Sequence, residues 1–111
     1  MKDRVREMSE VFKALGDPTR LRIIRMLASG MEDNLSVTDL AKKLGITQPA
    51  VSQHIKVLKS IDILEPDRKG FHVYYNINTE VLNAYKAGID ELFKMVFEKC
   101  PKYGKCKGHK A

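Results

Sequence analysis

Long apolar runs are missing from this sequence, and none exceeds three residues. That leaves no stretch able to span a membrane and no apolar core of a signal peptide. Cysteine is scarce as well. The two present, Cys100 and Cys106, are too few for a disulfide framework and sit together at one end. Aromatic residues make up 7% of the chain. The expectation is a soluble, reduced, cytoplasmic protein. What remains is ordinary: 111 residues, 43% apolar and 31% charged, which suits one globular domain with a modest core that needs no staples.

The net charge is +6. Lys99, Lys102, Lys105, Lys107 and Lys110 lie in a segment without acids, so residues 1–98 are nearly neutral. A basic total alone is therefore weak evidence for nucleic acid, and local patches must carry that argument.

Helical spacing of Val5, Met8, Phe12 and Leu15 predicts an amphipathic first helix ending at Gly16. Asp17-Pro18 is a helix start: Asp caps, and proline fits the first turn, where its missing N–H costs nothing. Leu21, Ile24, Leu27 and Ala28 are the expected inward face of this second helix, closed by Gly30. Ser36 and Asp39 form a capping-box pattern ahead of Val37, Leu40, Ala41 and Leu44, and Gly45 breaks that short helix. Thr47 caps another, with Pro49 in its first turn and Val51, Ile55 and Leu58 facing inward.

Two short helices around a glycine turn are a helix-turn-helix. The second leaves Gln48, Ser52, Gln53, Lys56 and Lys59 outward. Amides and hydroxyls can read base edges, and lysines can hold phosphates. Thr47, at the start of this helix, and His54, within it, join these residues as candidate DNA contacts. His54 suits packing or DNA contact better than metal binding. From Phe71 to Ile77 apolar and polar residues alternate, which predicts a half-buried strand, paired with the segment around Ile63–Pro66. Arg68 and Lys69 at the hairpin tip make it a wing, with His72 either solvated or touching phosphate. Arg20, Arg22 and Arg25 are either surface charges or phosphate contacts. The last helix, residues 80–98, carries Val81, Leu82, Tyr85, Ile89, Leu92, Phe93, Val96 and Phe97. That face is wider than one small domain needs. Together with Val5, Met8 and Phe12 it predicts a dimer interface centred on Tyr85, Ile89, Leu92, Phe93 and Val96.

The fold class is thus mainly α with a small β-hairpin, a winged helix-turn-helix over residues 1–98 followed by a basic tail over 99–111. Three segments extend the reading: Asp17-Pro-Thr-Arg-Leu-Arg-Ile-Ile, Leu40-Ala-Lys-Lys-Leu-Gly-Ile-Thr-Gln-Pro-Ala-Val-Ser-Gln-His-Ile and Gly70-Phe-His-Val-Tyr-Tyr. In this order the chain resembles the ArsR/SmtB family of winged-helix repressors across residues 5–98. The resemblance implies a homodimer joined through its first and last helices, bound to double-stranded DNA at an inverted repeat and released by an effector, often a metal ion. It places the helix from Gln48 to Lys59 in the major groove and the Arg68–Lys69 hairpin on the flanking backbone or minor groove. Half-sites would lie about 34 Å apart.

The departures matter too. Where metal-sensing members carry Cys-x-Cys, this chain has Ser36 and Thr38, and its last helix has no histidine to join Asp90 and Glu91. Metal sensing is therefore not inherited from either of those sites. Cys100, Cys106 and His109 form C-x5-C-x2-H, which suits zinc or another soft ion with a fourth position open. The surrounding lysines would also favour thiolate reactivity and a redox switch, and an inert tail fits the same residues. No cofactor is required by the DNA-binding reading. A protein-interaction module borrowing the fold, with weak or non-specific DNA binding, is the alternative function. No nucleophile, base and orienting group are held together on rigid elements, so an enzyme is not expected.

Overall fold

The computed structural model describes residues 3–29 and 35–99. The elements run α1 (Arg4–Leu15), α2 (Pro18–Ala28), α3 (Val37–Leu44), α4 (Gln48–Ser60), β1 (Leu64–Lys69), β2 (His72–Ile77) and α5 (Thr79–Lys99). Cys100, Cys106, His109 and Gly30 lie outside the described residues, as does the rest of the tail beyond Lys99, which ends α5.

Each helix begins where its capping side chain says it should. Asp3, Asp17, Ser36 and Thr47 each accept a backbone N–H from the first turn that follows, satisfying donors that the helix itself cannot. Asn78 does the same for α5, its side-chain oxygen accepting from Val81 N–H at 3.2 Å. At Asp17 the carboxylate accepts from both Thr19 and Arg20. The Arg20 N–H, opposed by partial desolvation and assisted by the charge of Arg20 and by the Thr19 N–H, holds its pKa below the ordinary 3.8. A depressed carboxylate favours the folded state above its ordinary range, and this contribution is lost as pH falls through the folded value. Asp17→Ala should therefore lower the urea midpoint at pH 7. The gap to the parent protein should close as the pH drops below 3.8. A gap independent of pH would show that the carboxylate charge is irrelevant.

The core is aliphatic. Ile23, Leu40, Val51, Leu58 and Ile63 are wholly buried, with Leu35, Ala41, Ile55 and Leu64 beside them. The inward face of α2 differs from the sequence expectation. Ile23 is its buried residue, and Ile24, Met26 and Leu27 pack partly against the core, whereas Leu21 is 48% exposed and Ala28 is exposed. The reason is that apolar residues at 21, 23, 24, 26, 27 and 28 cover most of the helix circumference, so periodicity alone cannot choose a face. A similar split occurs in α1. Val11 and Ala14 are buried, while Val5 and Phe12 remain exposed.

The strands form a two-stranded antiparallel sheet in register from Leu64↔Ile77 to Lys69↔His72. Pro66, opposite Tyr75, is tolerated because each strand of such a ribbon has a free edge. Phe71 is not a strand residue, contrary to the alternation read from sequence. Lys69 and His72 are the last pair, so Gly70 and Phe71 are the two loop residues. Gly70 takes φ +65°, a sign that only glycine adopts without strain. Glycine first, with positive φ, is the pattern of a type II′ hairpin turn.

Candidate nucleic-acid interface

The helix-turn-helix is fixed by local chemistry at both ends of α3. The Ser36 hydroxyl accepts from Asp39 N–H at 3.2 Å, and the Asp39 carboxylate accepts from Ser36 N–H at 3.0 Å. These bonds to Ser36, through its backbone and then its hydroxyl, hold the Asp39 pKa down, with Lys42 and Lys43 adding a smaller pull against desolvation. At the other end Gly45 sits at φ 70°, ψ 31°, and the N–H groups of Gly45 and Ile46 both reach Ala41 O. Two residues later Thr47 caps α4, accepting from Ala50 N–H at 3.2 Å. The turn thus sends α4 off in one defined direction.

On α4 the inward stripe is Val51, Ile55 and Leu58, all buried. The opposite face presents Gln48, Ser52, Gln53, Lys56 and Lys59, all exposed, and Thr47 is exposed at its start. Among the described residues these five side chains have no hydrogen bond or ion pair with protein groups. Amides, a hydroxyl and ammonium groups therefore stand on a rigid helix with their bonding capacity unspent.

His54 is placed differently. It is half-buried, with Nδ1 3.1 Å from Arg20 Nη1 and 3.9 Å from Asp17 Oδ2. Arginine can only donate, so Nδ1 accepts in that bond. Arg20 in turn donates to the carbonyls of Ala14 and Lys13. One guanidinium therefore ties the end of α1 and the start of α2 to the middle of α4. From sequence Arg20 is either a surface charge or a phosphate contact, and nothing there points to this bracket. A fixed arginine three residues after a capping aspartate, facing a histidine 34 positions later, has no short-range signature. Arg22 and Arg25 are exposed on α2.

The α4–β1 connection is a Schellman motif. Ile63 N–H reaches Leu58 O at 3.2 Å, and Asp62 N–H reaches Lys59 O at 2.9 Å. Asp62 supplies the left-handed residue, with φ 63°. This launches the hairpin directly from the end of α4. At its tip Arg68 is exposed and has no side-chain partner among the described residues, while Lys69 lies 3.8 Å from Asp67 and 6.0 Å over the Tyr74 ring. His72 is exposed and stacks on Tyr74 at 5.9 Å between centroids. The structure thus holds the α4 face and the wing on one scaffold.

Comparison with known proteins decides the family. The profile described as "Bacterial regulatory protein, arsR family" matches residues 17–65, the span from the Asp17 cap through α4 into β1. The transcriptional repressor SdpR of Bacillus subtilis is 39% identical over 75 residues, covering 68% of this chain and 80% of that protein. The chain belongs to the ArsR/SmtB family of winged-helix repressors. It is a DNA-binding transcriptional regulator, and its family is not one of enzymes. An ArsR-like regulator from Rhodococcus sp. RHA1 has the same fold, with a TM-score of 0.77 at 22% identity over 88% of this chain and 90% of that one. The homodimeric winged helix-turn-helix DNA-binding domain of Mb0332 from Mycobacterium bovis superposes with a TM-score of 0.63 at 27% identity, covering 86% and 89%.

The ArsR/SmtB family includes metal-sensing repressors. Among the described residues of this member no group of three His, Cys, Asp or Glu side chains could hold a metal ion. Asp90 is paired with Lys86 at 3.2 Å. Likewise, among the described residues no helix is long and apolar enough to cross a membrane.

The residues expected at a dimer seam divide in two. Val5, Phe12, Leu92, Phe93 and Val96 are 39–75% exposed, joined by Met95 and Phe97. Met8, Tyr85 and Ile89 are partly buried and line a groove between α1 and α5. Tyr85 also serves its own fold, donating from its hydroxyl to Ile61 O at 2.6 Å. Burial raises its pKa, helped by Glu7 and Asp62.

Proposed function

We propose that this regulator is a cytoplasmic homodimeric repressor that binds an inverted-repeat operator through two copies of α4 and is released by an effector. The observation that carries the reading is the outward face of α4, whose amide, hydroxyl and ammonium groups lack protein partners among the described residues while its inner stripe is locked into the core. In this reading Gln48, Ser52 and Gln53 meet base edges. Thr47, Lys56, Lys59, Arg68, Lys69 and His72 meet phosphates, and His54 acts on DNA by seating α4 against Arg20. Residues 1–98 form the DNA-binding and dimerisation domain. The exposed apolar side chains of α1 and α5 support pairing of two copies there, as does the homodimeric state of the related Mb0332 domain. A basic tail over 99–111 offers Cys100, Cys106 and His109 as a site for zinc or another soft ion, or as a redox switch.

Two substitutions separate base reading from phosphate holding. Gln53→Ala should cost about 1–3 kcal/mol on the preferred duplex and relax its sequence preference. Lys56→Ala should weaken all duplexes alike and reduce the salt slope by about one per site. Both are read by fluorescence anisotropy on a duplex selected by the parent protein from a randomised pool. If both variants bind as the parent does, α4 is not the reading head and the interaction-module alternative gains the ground.

A further inference from the structure

The wing tip holds a residue for which DNA binding through α4 and pairing through α1 and α5 give no account. Phe71 is 103% exposed, as open as a side chain in an extended chain. The other exposed phenylalanines, Phe12, Phe93 and Phe97, lie on α1 and α5, where a second copy would cover them. Phe71 lies at the opposite end of the hairpin from Leu64↔Ile77, the pair that joins the core and leads into α5. We infer that Phe71 is an apolar wedge that enters the minor groove flanking each half-site and partly unstacks a base step there. The inference rests on the DNA-binding reading above and adds a way of reading sequence that hydrogen bonds do not supply.

Three observations support it. The first is reach. Five residue steps separate Leu64 from Lys69, an arm of about 17 Å at about 3.4 Å per residue. That is half of the roughly 34 Å helical turn, the axial distance from a major groove to the adjacent minor groove. The second is stiffness. His72 stacks on Tyr74 and Lys69 lies over the same ring, while Tyr75 and Ile77 pack against the core from the same strand. A wedge needs a backing that does not fold away under load, and this ribbon is braced along its length. The third is charge. Arg68 and Lys69 flank the tip, with Asp67 one residue further in, so cations meet the backbone where the ring would enter. The occupant is duplex DNA, and apolar side chains of this kind unstack and kink base steps from the minor groove.

The consequence is a preference about five base pairs from each half-site centre. Pyrimidine–purine steps kink most easily, so the wing would favour them without any hydrogen bond to a base.

The test uses the full chain on the duplex it selects from a randomised pool. The bend is measured by energy transfer between the duplex ends, and unstacking by 2-aminopurine placed in the flank. The parent protein should bend the duplex by about 20–90° and brighten the probe. F71A should lose both signals, and its own selected pool should lose the flanking pyrimidine–purine step. F71L, which keeps an apolar wedge, should retain them. Since Phe71 is fully exposed, neither change disturbs the core. If F71A bends and brightens as the parent does, the wedge is overturned and the ring serves another contact. If the parent binds its duplex without a bend, the wedge fails alone. If the parent selects no duplex, the DNA-binding reading fails, and the wedge with it.

Discussion

Raising monovalent salt from about 50 to about 200 mM should weaken operator binding by roughly 10³- to 10⁵-fold. The exposed cations Lys56, Lys59, Arg68 and Lys69 set this expectation. The two-fold symmetry of the proposed dimer doubles them, giving about eight phosphate contacts and a log–log slope near −7. Arg20 is not counted, because its guanidinium is already committed to Ala14, Lys13 and His54. The slope is read from anisotropy titrations at several salt concentrations. Deleting residues 99–111 should flatten it further if the tail lysines touch DNA. A nearly flat slope for the full chain would mean that these cations face water and not phosphate.

Leu58→Ala should cost about 2–5 kcal/mol of folding free energy. Leu58 is wholly buried, in the α4 stripe that packs against Ile23, Leu40 and Ile63 in one cluster. Removing its side chain forfeits transfer energy and leaves a cavity that the closed α3–α4 turn has little freedom to fill. For a domain of this size the loss lowers the melting temperature by about 10 °C or more. Operator affinity falls with it, since the same stripe seats the reading face. Leu21→Ala is the matched control. Its side chain is 48% exposed, so its effect should be a small fraction of that at Leu58. Both are compared by urea unfolding at one fixed protein concentration, because the proposed pairing of two copies would make stability concentration-dependent. Equal losses at the two positions would contradict the observed core.

Much of this molecule is legible in its sequence, and the reasons are local. Asp17-Pro18, Ser36 with Asp39, Gly45 and Thr47 specify caps and turns within four residues of themselves, so the helix-turn-helix follows from short-range chemistry alone. The α4 face was also readable, since Val51, Ile55 and Leu58 leave only one side for Gln53 and Lys56. Tertiary choices were not. Which face of α2 goes inward depends on neighbours, because apolar residues nearly encircle that helix. The pairing of Arg20 with His54 joins elements 34 residues apart, and no local pattern announces it. Phe71 reads as a strand residue from sequence because period-two alternation continues into the turn by coincidence, while Gly70 carries the signal for where the strand ends.

The measurement that bears most directly on the central claim is the ratio of affinities for the selected duplex and for its scrambled sequence, at one stated salt concentration. A sequence-reading α4 predicts a ratio of about 10³ or more, reduced by Gln53→Ala. Equal affinity for the two duplexes would contradict it and leave a charged surface that holds DNA without reading it.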